Sequence, residues 1–178
     1  MSMNHLRIIT WMFCLIPALF LFAADAQFVG APKCMMCHKS ERRGNQWDKW
    51  SSGPHAKAFE TLKSEQSKKI AADMGIADPT TAEKCLKCHV TGHGSAAKAE
   101  TFSNSEGVTC EACHGPGSVY KSMKVMKALA DGSQDAQAVS FMPGDAETCR
   151  SCHNPESPTY RPFDYDKKWA LIDHSIPQ

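Results

Sequence analysis

Cys34-Met35-Met36-Cys37-His38, Cys85-Leu86-Lys87-Cys88-His89, Cys110-Glu111-Ala112-Cys113-His114 and Cys149-Arg150-Ser151-Cys152-His153 repeat one five-residue pattern four times. Two cysteines three positions apart lie on one face of a helical turn, so both sulfurs can reach one edge of a flat ligand. The histidine behind the second cysteine then points toward the centre of that ligand. This is the attachment pattern of a c-type haem, with thioether bonds through the cysteines and an iron–histidine bond. Eight cysteines could instead close four disulfides or build two zinc ribbons. Neither alternative explains why histidine follows the second cysteine in every pair. The motifs therefore predict four covalent haem c groups. Cys34, Cys37, Cys85, Cys88, Cys110, Cys113, Cys149 and Cys152 attach them, and His38, His89, His114 and His153 are the first axial ligands.

Ahead of the first motif, His5 and Arg7 precede an apolar run from Ile8 to Ala24, broken by Pro17 and closed by Ala24-Asp25-Ala26. This reads as a secretory signal over residues 1–26, the alternative being a retained membrane anchor. Cys14 leaves with it. Residues 27–178 then form a single domain of the exported, periplasmic protein, with no stable membrane span after signal removal. Four haems on roughly 150 residues leave about 40 residues apiece, too few for a large apolar core around each. The porphyrins themselves must be the core. The expected fold is mainly α-helical with long irregular loops, and the haem-free chain should not fold. The formal charge is only +1, and haem propionates make the loaded protein acidic. With no basic tract, nucleic acid is not a partner.

Capping and periodicity predict a helix from Pro54 to Met74 and a second from Val119 to Asp131, started by Ser118. Asp145 caps a short helix into the fourth motif, and a last helix runs from Asp164 to Asp173. Residues 92–107 and 132–144 read as loops, and 155–162 as an extended segment. The second and third motifs lie closest along the chain, which predicts neighbouring haems there.

Function turns on the second axial ligands. Outside the motifs and the signal, the chain keeps only His55, His93 and His174. Three histidines cannot complete four irons. His55 has small neighbours, Ala56 and Ala58, that admit a flat ring. His174 would fold back from the C-terminal helix. His93 lies too close to His89 to bind the opposite face of the same iron, so it must serve a neighbour or stay in the loop. Met123, Met126 and Met142 could ligate but read better as packing against porphyrin, and Met35 and Met36 are badly placed. At least one iron is open, methionine-bound or completed by another chain.

The chain resembles the cytochrome c-554 family of tetrahaem cytochromes. The likeness rests on Phe28-Val29-Gly30 before the first motif, His55-Ala56-Lys57-Ala58, Cys88-His89-Val90-Thr91-Gly92, and Gly107-Val108-Thr109 running through the third motif to Gly115-Pro116-Gly117. The resemblance implies a compact helical fold with stacked haem pairs, mostly bis-histidine irons with one five-coordinate, and a periplasmic electron-transfer role. Family members often carry a distal histidine soon after the Gly-Pro-Gly turn, and this chain has none before Gly132. At His93 an aromatic is expected instead. The expected function is single-electron transfer between redox proteins, such as a donor enzyme or quinol oxidase and a terminal reductase. Reduction of a small nitrogen oxide at an open haem, and a subunit of a haem-linked oligomer, are the alternatives.

Overall fold

A computed structural model describes residues 25–176. The predicted signal lies almost wholly outside the described residues. Nine short α-helices follow one another among them: α1 Pro32–His38, α2 Gln46–Ser52, α3 Ala58–Thr61, α4 Glu65–Asp73, α5 Glu83–His89, α6 Cys110–His114, α7 Met123–Ala130, α8 Ala146–Arg150 and α9 Tyr165–Ile172. The only β pairing among the described residues is an isolated parallel bridge between Phe28 and Lys98. The mainly α architecture with long irregular loops is the one expected from the motifs. No helix among the described residues is long and apolar enough to cross a membrane.

Local chemistry sets the helix ends. Asp145 caps α8 as expected, accepting from the Thr148 amide at 2.7 Å, and Asp164 caps α9 through the Lys167 amide at 3.3 Å. The long helix expected over 54–74 is instead broken. A 3-10 turn at His55–Lys57 leads into α3, and Ser64 restarts the chain as the cap of α4, accepting from Ser67 at 3.2 Å. A serine that can accept from an amide two or three residues on competes with helix continuation. Ser122, not Ser118, caps α7, its hydroxyl meeting the Val125 amide at 3.3 Å. Ser118 is used elsewhere, accepting from the Gln27 amide at 2.8 Å. The 155–162 segment turns at Ser157–Tyr160 before extending.

Packing is thin. Buried hydrophobic residues among those described are Val29, Ala31, Leu62, Ala71, Leu86, Val90, Tyr120 and Val139, while Met36, Met123, Leu171 and Ile176 stand exposed. Leu62, Leu86 and Val90 form one small cluster, flanked by Phe59, Cys85 and Phe102. Such a core is too small to hold a domain of this length by itself. The chain is arranged around the motifs, and polar contacts join them. Thr91, after the second motif, accepts from the Thr109 amide, before the third, at 2.7 Å.

Candidate functional site

Each motif occupies one helical turn. α1, α5 and α6 end on His38, His89 and His114, and in the fourth motif the turn runs three residues past α8, with the His153 amide donating to the Cys149 carbonyl at 3.0 Å. Cysteines three apart therefore share a face, as the pattern requires. All eight thiols are unpaired by disulfides. Burial and the neighbouring Cys152 push the Cys88 thiol up to about 11, and burial does the same for Cys113. The hydrogen bond to Cys34, and then burial, push Cys110 well above the ordinary thiol range.

The motifs associate in alternation. Cys34 of the first lies close enough to Cys110 of the third for each thiol to shift the other's pKa, and Cys88 of the second lies likewise beside Cys152 of the fourth. Their spacing along the chain suggested the second and third as the close pair. Those two do touch through Thr91 and Thr109, but their cysteines face other partners. A cavity of about 210 Å³ lies among Cys88, Ala112, Cys152, Phe28 and Met142.

Three motif histidines are oriented through Nδ1, which leaves Nε2 for iron. His89 Nδ1 donates to the Ala58 carbonyl at 2.6 Å, His114 Nδ1 to the Met142 carbonyl at 3.0 Å, and His38 Nδ1 faces Gln46 Oε1 at 3.3 Å. A partner on one ring nitrogen fixes which nitrogen ligates. His114 also stacks on Phe141, centroids 5.6 Å apart, and His153 on Phe163 at 4.7 Å. Gly115 makes the His114 arrangement possible. Its φ is +76°, and a Cβ there would overlap the Ser140 carbonyl oxygen, so only glycine lets the 140–142 segment pass close enough for Met142 to reach the ring.

Two of the three other histidines arrive opposite a motif histidine. His55 and His153 have ring centroids 6.1 Å apart, and His174 and His114 lie 6.0 Å apart. A metal–imidazole bond is about 2 Å, so two imidazoles on opposite sides of one ion place their ring centres on the order of 6 Å apart. The spacing fits a six-coordinate haem iron. His174 is steered by its own Nδ1, bonded to the Ile172 carbonyl at 2.7 Å. His55 is held from the third motif's leader, where the Val108 amide donates to the His55 carbonyl at 3.0 Å and Trp50 Nε1 to the Val108 carbonyl at 2.8 Å. Burial lowers the pKa of His55, and that of His114 and His153 as well, which favours the neutral, ligating imidazole.

His93 is half-buried in its turn and joins no such ring pair among the described residues. Met142 offers His114 its carbonyl, not its sulfur, on the Nδ1 side. Met36 is 90 % exposed, in keeping with its poor placement as a ligand. Sequence reasoning missed Gln46, which joins His38 to the C-terminal tail by donating to the His174 carbonyl at 3.2 Å. It also missed Glu111. A glutamine or glutamate on a helix carries no local signal for such a role.

Repeated thiol pairs with trailing histidines, ring pairs at iron-spanning distance and a core too thin to stand alone define a multihaem c-type cytochrome. Comparison with known proteins narrows the class. Residues 33–115 match the family described as cytochrome c554 and c-prime. Cytochrome c-554 of Nitrosomonas europaea is 39 % identical over 106 residues, 56 % of this chain and 43 % of that protein. The chain thus aligns with less than half of that relative's length. The structure of the reduced state of cytochrome c554 from Nitrosomonas europaea superposes with a TM-score of 0.54 and 29 % identity, covering 83 % of this chain and 79 % of that one. The resemblance to the cytochrome c-554 family read from the sequence holds in both sequence and fold, and it implies covalently bound haem c.

Proposed function

We propose that this protein is a periplasmic tetrahaem cytochrome that carries single electrons between redox proteins. The two histidine ring pairs are the observation that supports this most directly. His153 and His55 would hold the iron of the fourth site, and His114 and His174 that of the third. Haem supplies a one-electron iron couple whose potential follows axial ligands, burial and nearby charge. The chain's own part is positional. Nδ1 bonds aim the histidines, the cysteine pairs anchor the porphyrin edges, and the contacts Cys34–Cys110 and Cys88–Cys152 bring the sites together two by two. Close edges allow an electron entering at one site to leave at another, toward an acceptor such as a terminal reductase.

With His55 and His174 assigned, the irons at His38 and His89 have only His93 between them. That is the observation behind a second reading, small-molecule chemistry at an open iron. Mass spectrometry of the mature protein should count four haems. Low-temperature EPR should show His55→Ala and His174→Ala each converting one different low-spin haem to high spin. An unchanged spectrum in either variant breaks that ligand assignment. Carbon monoxide bound by the reduced wild type, followed by turnover of nitric oxide, would favour the second reading; binding without turnover keeps the carrier.

A further inference from the structure

We propose that the buried Glu111 carboxyl is a fixed electrostatic tie between the first and third haem sites, clamping their attachment segments together and holding their potentials below those of the second and fourth. The inference rests on the four-haem reading above. Glu111 is the second residue of the third motif and is only 1 % exposed, the largest fully buried side chain among the described residues. A buried carboxyl is costly unless its lone pairs are satisfied. Here they are met entirely by backbone donors. Val29 donates to both oxygens, at 2.9 and 3.1 Å, Gly30 at 2.8 Å and Gly117 at 2.7 Å. Donors converge on it, and none of the ion pairs among the described residues includes it. Such a setting suits an anion that has no cation to cancel it.

Its position gives that charge a target. Glu111 follows Cys110 directly, and two of the three amides it holds, those of Val29 and Gly30, belong to the chain entering α1, whose Cys34 lies beside Cys110, while the third, Gly117, follows the third motif. Its charge is felt at Cys34, Cys110 and Tyr120, where it disfavours a further negative charge, even though contact with Cys110 leaves the Cys34 thiol lowered overall. Glu106 adds a second, half-buried carboxyl to the same row of amides, accepting from Ala31 at 2.7 Å. Reducing a ferric haem adds an electron, and an uncancelled anion in a poorly screened interior opposes it. Among the described residues no other buried carboxyl stands at the second and fourth sites, and Glu111 reaches them only across the cavity it lines with Cys88 and Cys152. The ion pair that joins them, Lys87 with Glu156, is exposed, so water screens it and its opposite charges nearly cancel.

The test is an NMR-monitored redox titration of the holoprotein, with the methyl signals assigned to each haem. In Glu111→Gln the first and third potentials should rise while the second and fourth stay in place. Glu111→Asp keeps the charge on a shorter reach, so it should keep the wild-type order of potentials while lowering the thermal midpoint. Four unmoved potentials in Glu111→Gln, an equal rise at all four, or the same shift in both variants overturns the proposal. Should Glu111→Gln yield no holoprotein, Glu106→Gln takes its place: a smaller rise centred on the first site supports the proposal, and no change overturns it. Wild-type protein carrying fewer than four haems defeats the underlying reading, whereas four haems with unmoved potentials defeat this inference alone.

Discussion

The first and third motifs meet in one half of the molecule and the second and fourth in the other, and the halves are built to the same plan from different parts. In each, a cysteine of one motif lies beside a cysteine of its partner, and one histidine from a distant segment faces a motif histidine. In each, that segment also steadies the other motif's histidine. The His55–Ala58 turn offers the Ala58 carbonyl to His89 while His55 faces His153. The C-terminal tail faces His114 with His174, and its His174 carbonyl is tied through Gln46 to His38. The halves differ in what lies between. The first-and-third half has a buried carboxyl satisfied by amides. The second-and-fourth half has an apolar cluster of Leu62, Leu86 and Val90 and an ion pair at its surface. One plan, two electrical environments, is the arrangement a relay needs if its sites are to differ in potential without differing in ligands.

The plan itself depends on the cofactor, so the largest effect should follow from withholding it. With so few buried hydrophobic side chains, the conformational entropy of ordering this chain exceeds what apolar burial returns. Chain produced without haem attachment should show little helical circular dichroism and no cooperative thermal transition. A cooperative transition in that material would mean that the two halves pack without their haems, and the porphyrins would then not be the core.

Backbone substitutions should separate the halves. Gly107 has φ +71°, and a Cβ there would lie 2.8 Å from the His55 carbonyl oxygen. Gly107→Ala should cost about 1–3 kcal/mol from the strained backbone alone and push His55 away from His153. Gly115→Ala meets the Ser140 carbonyl and moves the segment that orients His114. Chemical denaturation should find both destabilised. EPR should find the fourth haem perturbed by the first substitution and the third haem by the second. Identical spectral changes in the two would mean the halves are not independent.

These halves were only partly legible in the sequence. The one-turn geometry of the four motifs could be read because two cysteines three apart, followed by histidine, form a purely local pattern. The Asp145 cap could be read because a side chain and an amide three residues on interact locally. The break at Ser64 was not legible, since the apolar face of 54–74 continues through it and only tertiary packing selects the turn. The partnership of motifs was not legible either. Cys34 meets Cys110 across the fold, and chain spacing favours nearer pairs. Glu111 was hidden for the same reason: a glutamate in a helical turn is ordinarily solvated, and its four amide bonds come from segments as far as 82 residues away.

The smallest expected effect sharpens the electrical contrast. Lys87 and Glu156 join the second motif to the turn after the fourth, and both side chains are largely exposed, at 48 % and 71 %. Exposed pairs lose most of their attraction to water and to the entropy of holding two long side chains. Lys87→Ala should therefore leave the denaturation midpoint within error and shift none of the four potentials measurably at physiological salt. At low ionic strength, where screening lengthens, the exposed Glu156 left behind should depress the second and fourth potentials slightly, and added salt should erase the shift. A salt-resistant shift would place this pair in a buried field like that of Glu111, and the two halves would then be electrically alike.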